Sequence, residues 1–142
     1  MNKDKAQPLV GIILTTLSAL LIVGVSSFAG SCGVHDDGSV SACFWAGRAV
    51  LGMGIVLAIL SVVRIFERDE GERRGLSLAA ACLGVLIACT PGVLIDLCMM
   101  ATMRCHTIMR PFILIVGVFV ALVGGTDLFL RLRALFRQHP DF

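Results

Sequence analysis

Charged residues are few in this chain. Asp, Glu, Lys and Arg make up 15% of its 142 residues, against 57% apolar. A soluble domain carries about 25% charge, so a core built against water is excluded, and the mean hydropathy of +0.92 agrees. No polar linker, low-complexity tract or shift in composition divides the chain, which leaves one domain, residues 1–142. Also missing are a hydrolase triad, a phosphate-cradling glycine loop, a zinc-ligand spacing and a basic nucleic-acid surface, and the net charge is only +2. Nucleic acid is not expected as a partner, and the chain reads as a non-enzyme more readily than as an enzyme.

What is present is four apolar runs, residues 9–28, 46–63, 76–94 and 111–130. A helix needs roughly 20 such residues to cross a hydrocarbon core. The expected fold is therefore all-α, an integral membrane four-helix bundle, with outer loops at 29–45 and 95–110. The first run follows Lys3 and Lys5 as a signal peptide would, but it exceeds the usual h-region of about 7–15 residues, and Ala29 and Ser31 form an imperfect cleavage box. It reads as a span. Lys3, Lys5, Arg64, Arg68, Arg73, Arg74, Arg131, Arg133 and Arg137 fall on one side of such a bundle; only Arg48, Arg104 and Arg110 fall on the other. Positive charge stays on the cytoplasmic side of short loops, so both termini are expected in the cytoplasm, with the chain multi-pass in the membrane.

Two stretches echo each other. Cys43-Phe44-Trp45-Ala46-Gly47-Arg48 and Cys105-His106-Thr107-Ile108-Met109-Arg110 each set a cysteine five residues ahead of an arginine and open an apolar run. The echo points to two helical hairpins in pseudo-repeat. Cys32, Cys43, Cys98 and Cys105 then lie in the outer connections, where disulfides persist, and the simplest pairing is one bridge per loop. If helix continues through residues 99–109, however, Cys98 and Cys105 stand about 10 Å apart along the axis, beyond disulfide reach. Cys82 and Cys89, seven apart in the third run, read as small packing residues.

Small residues let membrane helices approach closely. Gly54 and Ala58, Ala80, Gly84 and Ala88, and Gly117 with Gly124 and Gly125 fall at such spacings, as seams of the bundle or as a docking surface. Charges at membrane depth are costly and so are functional candidates: Arg48, Asp96 and Arg110 read either as a rim ion pair or as an anion or headgroup site. Asp127 and Arg131 read as an i,i+4 helix pair. Between Cys98 and Met109, two thiols, one imidazole and four thioethers are concentrated. Cys105, His106, Met103 and Met100 could ligate copper or haem, although no cofactor is expected, since no established spacing is matched and methionine is usual apolar filler.

The layout of four spans with a cysteine pair in each outer loop resembles the quinone-linked membrane thiol-disulfide oxidoreductases, from which it departs by lacking their Cys-x-x-Cys pair. At Met103-Arg104-Cys105-His106-Thr107, and again over residues 43–50, the chain resembles a family of small bacterial four-span membrane proteins known as domain of unknown function 4418. Phe44 stands in the first copy where His106 stands in the second, which puts a paired Cys-His role in doubt. The resemblance implies no assigned activity and an association with exporters of the macrolide-efflux type. The leading expectation is an accessory or partner subunit of such a membrane complex; the oxidoreductase and a haem or copper protein are the alternatives. Membrane lipid and a membrane-protein partner, or a second copy of the chain, are the expected partners.

Overall fold

The structure, a computed structural model, describes residues 3–27, 42–96 and 105–138. Among them it is all-helical: α1 (Lys3–Ser26), α2 (Ala42–Phe66), α3 (Glu70–Cys89) and α4 (Arg110–Gln138), the last entered through a single π turn, Cys105–Met109. Three stretches are long and apolar enough to cross a membrane, Pro8–Ser26, Ala42–Phe66 and His106–Arg137. By length and composition this is a small membrane protein.

The third apolar run departs from expectation. The run 76–94 was expected to be helical with its outer end bent or loosened at Pro91-Gly92, and α3 stops at Cys89. Pro91 has no N–H to extend the ladder. Thr90 instead donates to both Leu86 and Ile87 carbonyls, and the chain folds into a turn held by Leu94 N–H to Cys89 O at 3.1 Å, Ile95 N–H to Thr90 O at 3.1 Å and Gly92 N–H to Ile95 O at 3.0 Å. Gly92 takes φ 100° there, a conformation that side chains rarely adopt. At its other end α3 begins with Glu70, Gly71, Glu72, Arg73 and Arg74, capped by Asp69. The apolar part, residues 76–89, is fourteen residues and roughly 21 Å long, short of a hydrocarbon core of about 30 Å.

The helices pack chiefly as α1 on α2 and α3 on α4, each pair antiparallel. In the α3–α4 seam the backbones nearly touch. A Cβ added to Gly117 would lie 2.6 Å from Ala88 N, and one at Gly124 2.8 Å from Ala81 N; at Gly84 it would meet Ala121 Cα at 2.8 Å and Gly117 O at 2.9 Å. Between α1 and α2 the approach is looser and side chains fill it, with Ile65 over Gly11, and Leu21 and Ile22 over Gly54. The core is apolar: Leu14, Leu21, Cys43, Val50, Leu57, Ile87, Met109, Ile113 and Val120 are all buried. Two joints tie the hairpins together. At one end the Phe112 ring of α4 occupies the hollow that Gly24 leaves in α1; at the other lies a polar cluster described below.

Gly117→Leu is expected to lower the thermal unfolding midpoint in detergent, by overpacking worth about 1–3 kcal/mol or more. Gly125→Ala, at a position with nothing within 4 Å, is expected to leave the midpoint unchanged or slightly raised. Equal midpoints for the two variants would refute the close seam.

Candidate functional site

Three helices bring a polar residue to the same place for the same reason. The buried face of α2 runs through Val50, Gly54, Leu57, Ser61 and Arg64; that of α3 begins at Ser77 and continues through Ala80, Gly84 and Ile87. On α4 the inward residues Ile113, Val116, Val120 and Gly124 lead, three further on, to Asp127. Steps of three and four keep one face of a helix in line. Arg64, Ser77 and Asp127 are therefore the polar feet of three apolar stripes.

They meet there. Arg64 Nη2 is 2.7 Å from Asp127 Oδ2, and the Arg64 side chain is 2% exposed. Arg64 Nη1 donates to Ser77 Oγ and to Arg73 O at 3.4 Å. The single hydroxyl hydrogen of Ser77 is shared between Asp127 Oδ2 at 2.7 Å and Arg73 O at 2.8 Å. Arg131 Nε reaches the same Asp127 oxygen at 2.8 Å, and its Nη1 reaches Glu70 Oε2 at 2.5 Å. One carboxylate oxygen thus accepts from α2, α3 and α4 together. Such charge-assisted bonds are the stronger kind, and a buried charge is tolerable only when it is paired in this way.

The connection between α2 and α3 is tight. Glu67 Oε1 accepts from Arg68 N–H at 3.0 Å and Asp69 N–H at 3.2 Å, while Arg73 Nε donates to Glu67 O at 2.7 Å. The Asp69 backbone N–H above all holds the Glu67 carboxyl below its ordinary value, and the hydrogen bond to Glu67 raises that of Glu72. Together these contacts fix where α3 starts relative to Arg64.

The residues expected to carry chemistry lie mostly at the opposite end. Arg48 is exposed and sits 5.2 Å over the Phe44 ring of its own helix. Arg110 is exposed, its guanidinium 3.5 Å from where a Gly92 Cβ would be. Asp96 is exposed, and among the described residues no ion pair joins it to Arg48 or Arg110; the three ion pairs found all belong to the Arg64 cluster. Cys43 is buried in the first turn of α2, Cys105 opens the π turn, and His106 next to it is half-buried. Cys32, Cys98, Met100 and Met103 lie outside the described residues, and with them both expected disulfides. No disulfide joins Cys43, Cys82 and Cys89 to one another. Cys82, expected to be buried, is exposed, because α3 turns Ser77, Ala80, Gly84 and Ile87 inward and position 82 lies on the other face. Among the described residues no group of three or more His, Cys, Asp or Glu could hold a metal. Of the packing positions, Gly84 and Gly117 with Ala88, and Gly124, lie in the α3–α4 seam, while Gly54 faces α1; Ala80 is buried and Ala58 half-buried.

Arg64 did not stand out in the sequence. It was one of nine cations that set topology, and Asp127 was paired only with Arg131 along the helix. Continuing the inward steps of α2 past Ser61 would have found it.

With this geometry in place the family can be stated. The chain belongs to the family described as Domain of unknown function (DUF4418), whose model matches residues 13–130. No curated protein and no solved structure matches the chain.

Asp127→Ala strands the Arg64 guanidinium in the bundle and is expected to destabilise it by about 3–5 kcal/mol. Glu70→Gln, at a half-exposed partner, is expected to cost less than about 1 kcal/mol. Replacing the pair together, Arg64→Met with Asp127→Leu, should recover most of the loss. Denaturant unfolding in micelles measures all three, and an Asp127→Ala midpoint equal to that of Glu70→Gln would refute the central role of Asp127.

Proposed function

We propose that this protein is a four-span protein of the bacterial cytoplasmic membrane, both termini inside, that acts as a partner subunit of a larger membrane complex. It offers the outward face of α2 to an apolar helix of that complex.

The observation that carries this reading is Gly52. Glycine inside a helix costs about 0.5–1 kcal/mol relative to alanine. Gly84, Gly117 and Gly124 each meet backbone of this chain that leaves no room for a Cβ, and Gly54 lies against Leu21 and Ile22, whereas a Cβ at Gly52 would meet nothing within 4 Å. With exposed Ala49 beside it, Gly52 leaves a notch on α2 between Trp45 and Val56, which are 61% and 47% exposed. Such a notch is where another helix can bring its backbone close. An exporter of the macrolide-efflux type is the candidate complex that the family resemblance offers. Gly54 and Gly84, considered as docking positions from sequence alone, face inward and cannot serve.

Mild-detergent purification followed by mass spectrometry is expected to recover a larger membrane protein in fixed ratio with the wild type. Gly52→Leu should lose it while the bundle keeps its thermal midpoint, and Gly52→Ala should retain it. Recovery of the chain alone or only with copies of itself, or retention of the partner by Gly52→Leu, would refute the proposal. Topology has its own test, because Lys3 and Lys5 are the only lysines. An impermeant amine reagent is expected to leave the protein unlabelled in intact cells and to label it after permeabilisation; labelling of intact cells would overturn the orientation.

A further inference from the structure

The length of α4 sets up a second surface. Its 29 residues extend about 43 Å, some 13 Å more than a hydrocarbon core of about 30 Å requires. The excess lies past the Arg64 cluster, and one face of it repeats a pattern: Phe129, Arg133, Phe136 and Arg137 stand at i, i+4, i+7 and i+8. The Arg133 guanidinium sits 4.3 Å over the Phe129 ring. Phe129 is 52% and Phe136 78% exposed, and both arginines are exposed. Rings and guanidinium groups in alternation suit the boundary between acyl chains and headgroups, where an apolar body and a charged tip are both accommodated.

The carboxylates of the Arg64 cluster are already engaged. Asp127 is held by Arg64 and Arg131, and Glu70 by Arg131. Among the described residues, Arg133 and Arg137 have no carboxylate within ion-pair distance. Toward the middle of α4, the same face has a shallow open groove of about 380 Å³ lined by Ala121, Leu122, Gly125, Thr126, Phe129 and Leu130, all of this one helix. Gly125 leaves its floor open, with nothing within 4 Å of a Cβ built there. Phe129 belongs to both features: it walls the groove and carries Arg133.

We propose that this face binds an anionic phospholipid, with an acyl chain in the groove along Gly125 and the headgroup phosphate on Arg133 and Arg137. The apolar groove accounts for the chain, and two exposed positive charges with no ion pair among the described residues account for the phosphate; neither alone would select this ligand. The site rests on the membrane placement proposed above and not on the partner complex, which concerns α2.

The test titrates the purified full-length protein in neutral detergent with phosphatidylglycerol and with phosphatidylcholine of matched chains, reading retained lipid by native mass spectrometry. The wild type is expected to prefer phosphatidylglycerol on the order of tenfold at low salt, a preference that weakens as salt rises. Arg133→Gln with Arg137→Gln should bring the two lipids to near parity. Gly125→Leu, which fills the groove, should lower retention of both lipids severalfold while keeping the preference. All the variants change exposed or open positions, and an unchanged thermal midpoint checks that each is folded. Equal retention of the two lipids by the wild type would overturn the proposal, as would a preference that survives removal of both arginines. So would displacement of the lipid by millimolar inorganic phosphate, or Gly125→Leu losing a protein partner while lipid retention is untouched. Failure of the partner reading would appear with Gly52→Leu and leave this titration unaffected.

Discussion

The contact between Arg64 and Asp127 is the constraint from which the rest of the arrangement follows. Each residue stands at the foot of an inward-facing apolar stripe, where a lone charge would be costly to keep. Neither is acceptable without the other, so the end of α2 must lie beside α4 at Asp127, with α3 close enough for Ser77 to bond the same carboxylate. A bundle whose helices attract one another through nonspecific apolar contact has many near-equivalent registers. A charge pair of 2.7 Å, backed by a hydroxyl and a second guanidinium, admits few.

The remaining cohesion is divided by type. Between α3 and α4 it comes from backbone proximity, with glycines removing the side chains that would hold the helices apart. Between α1 and α2 it comes from interlocking aliphatic side chains over Gly11 and Gly54. The far ends of the hairpins are joined by the Phe112 ring resting against Gly24. One joint is electrostatic and specific in direction; the other is a shape fit. The described polar chemistry of the Arg64 end is largely consumed by structure, and what stays available is on the surface: the notch at Gly52, and Arg133 and Arg137 with their phenylalanines.

Much of the fold was legible because apolar run length maps directly onto helix length. Residues 9–28, 46–63 and 111–130 all fall largely within observed helices. Residues 76–94 overrun the helix, because hydropathy alone does not register the donor lost at Pro91 and the chain remains apolar through Val93 and Leu94; Pro91-Gly92 itself was the legible sign that the outer end loosens. The small-residue spacing was visible, yet spacing could not say which glycines face a neighbour: Gly52 and Gly54 are two apart and look alike in sequence, and only packing separates them. The cluster at Arg64 was obscured because a basic residue at the end of an apolar run already has an explanation as a topology signal. Its partner lies 63 positions away, beyond any local pattern. At the other end, Arg48 stacks on the phenylalanine in its own first turn, a contact that a pairing argument based on charge alone could not anticipate.

The shortness of α3 has a consequence for the surrounding bilayer. In the four-span arrangement proposed above, a rod with about 21 Å of greasy length, packed closely along its seam against one whose apolar stretch, residues 111–130, runs about 30 Å, has little room to tilt on its own to correct the mismatch. In that arrangement lipid is expected to adapt instead, by local thinning beside the turn at Pro91. A leaflet dimpled around that corner would bring headgroups and water toward the exposed Val93 and Leu94.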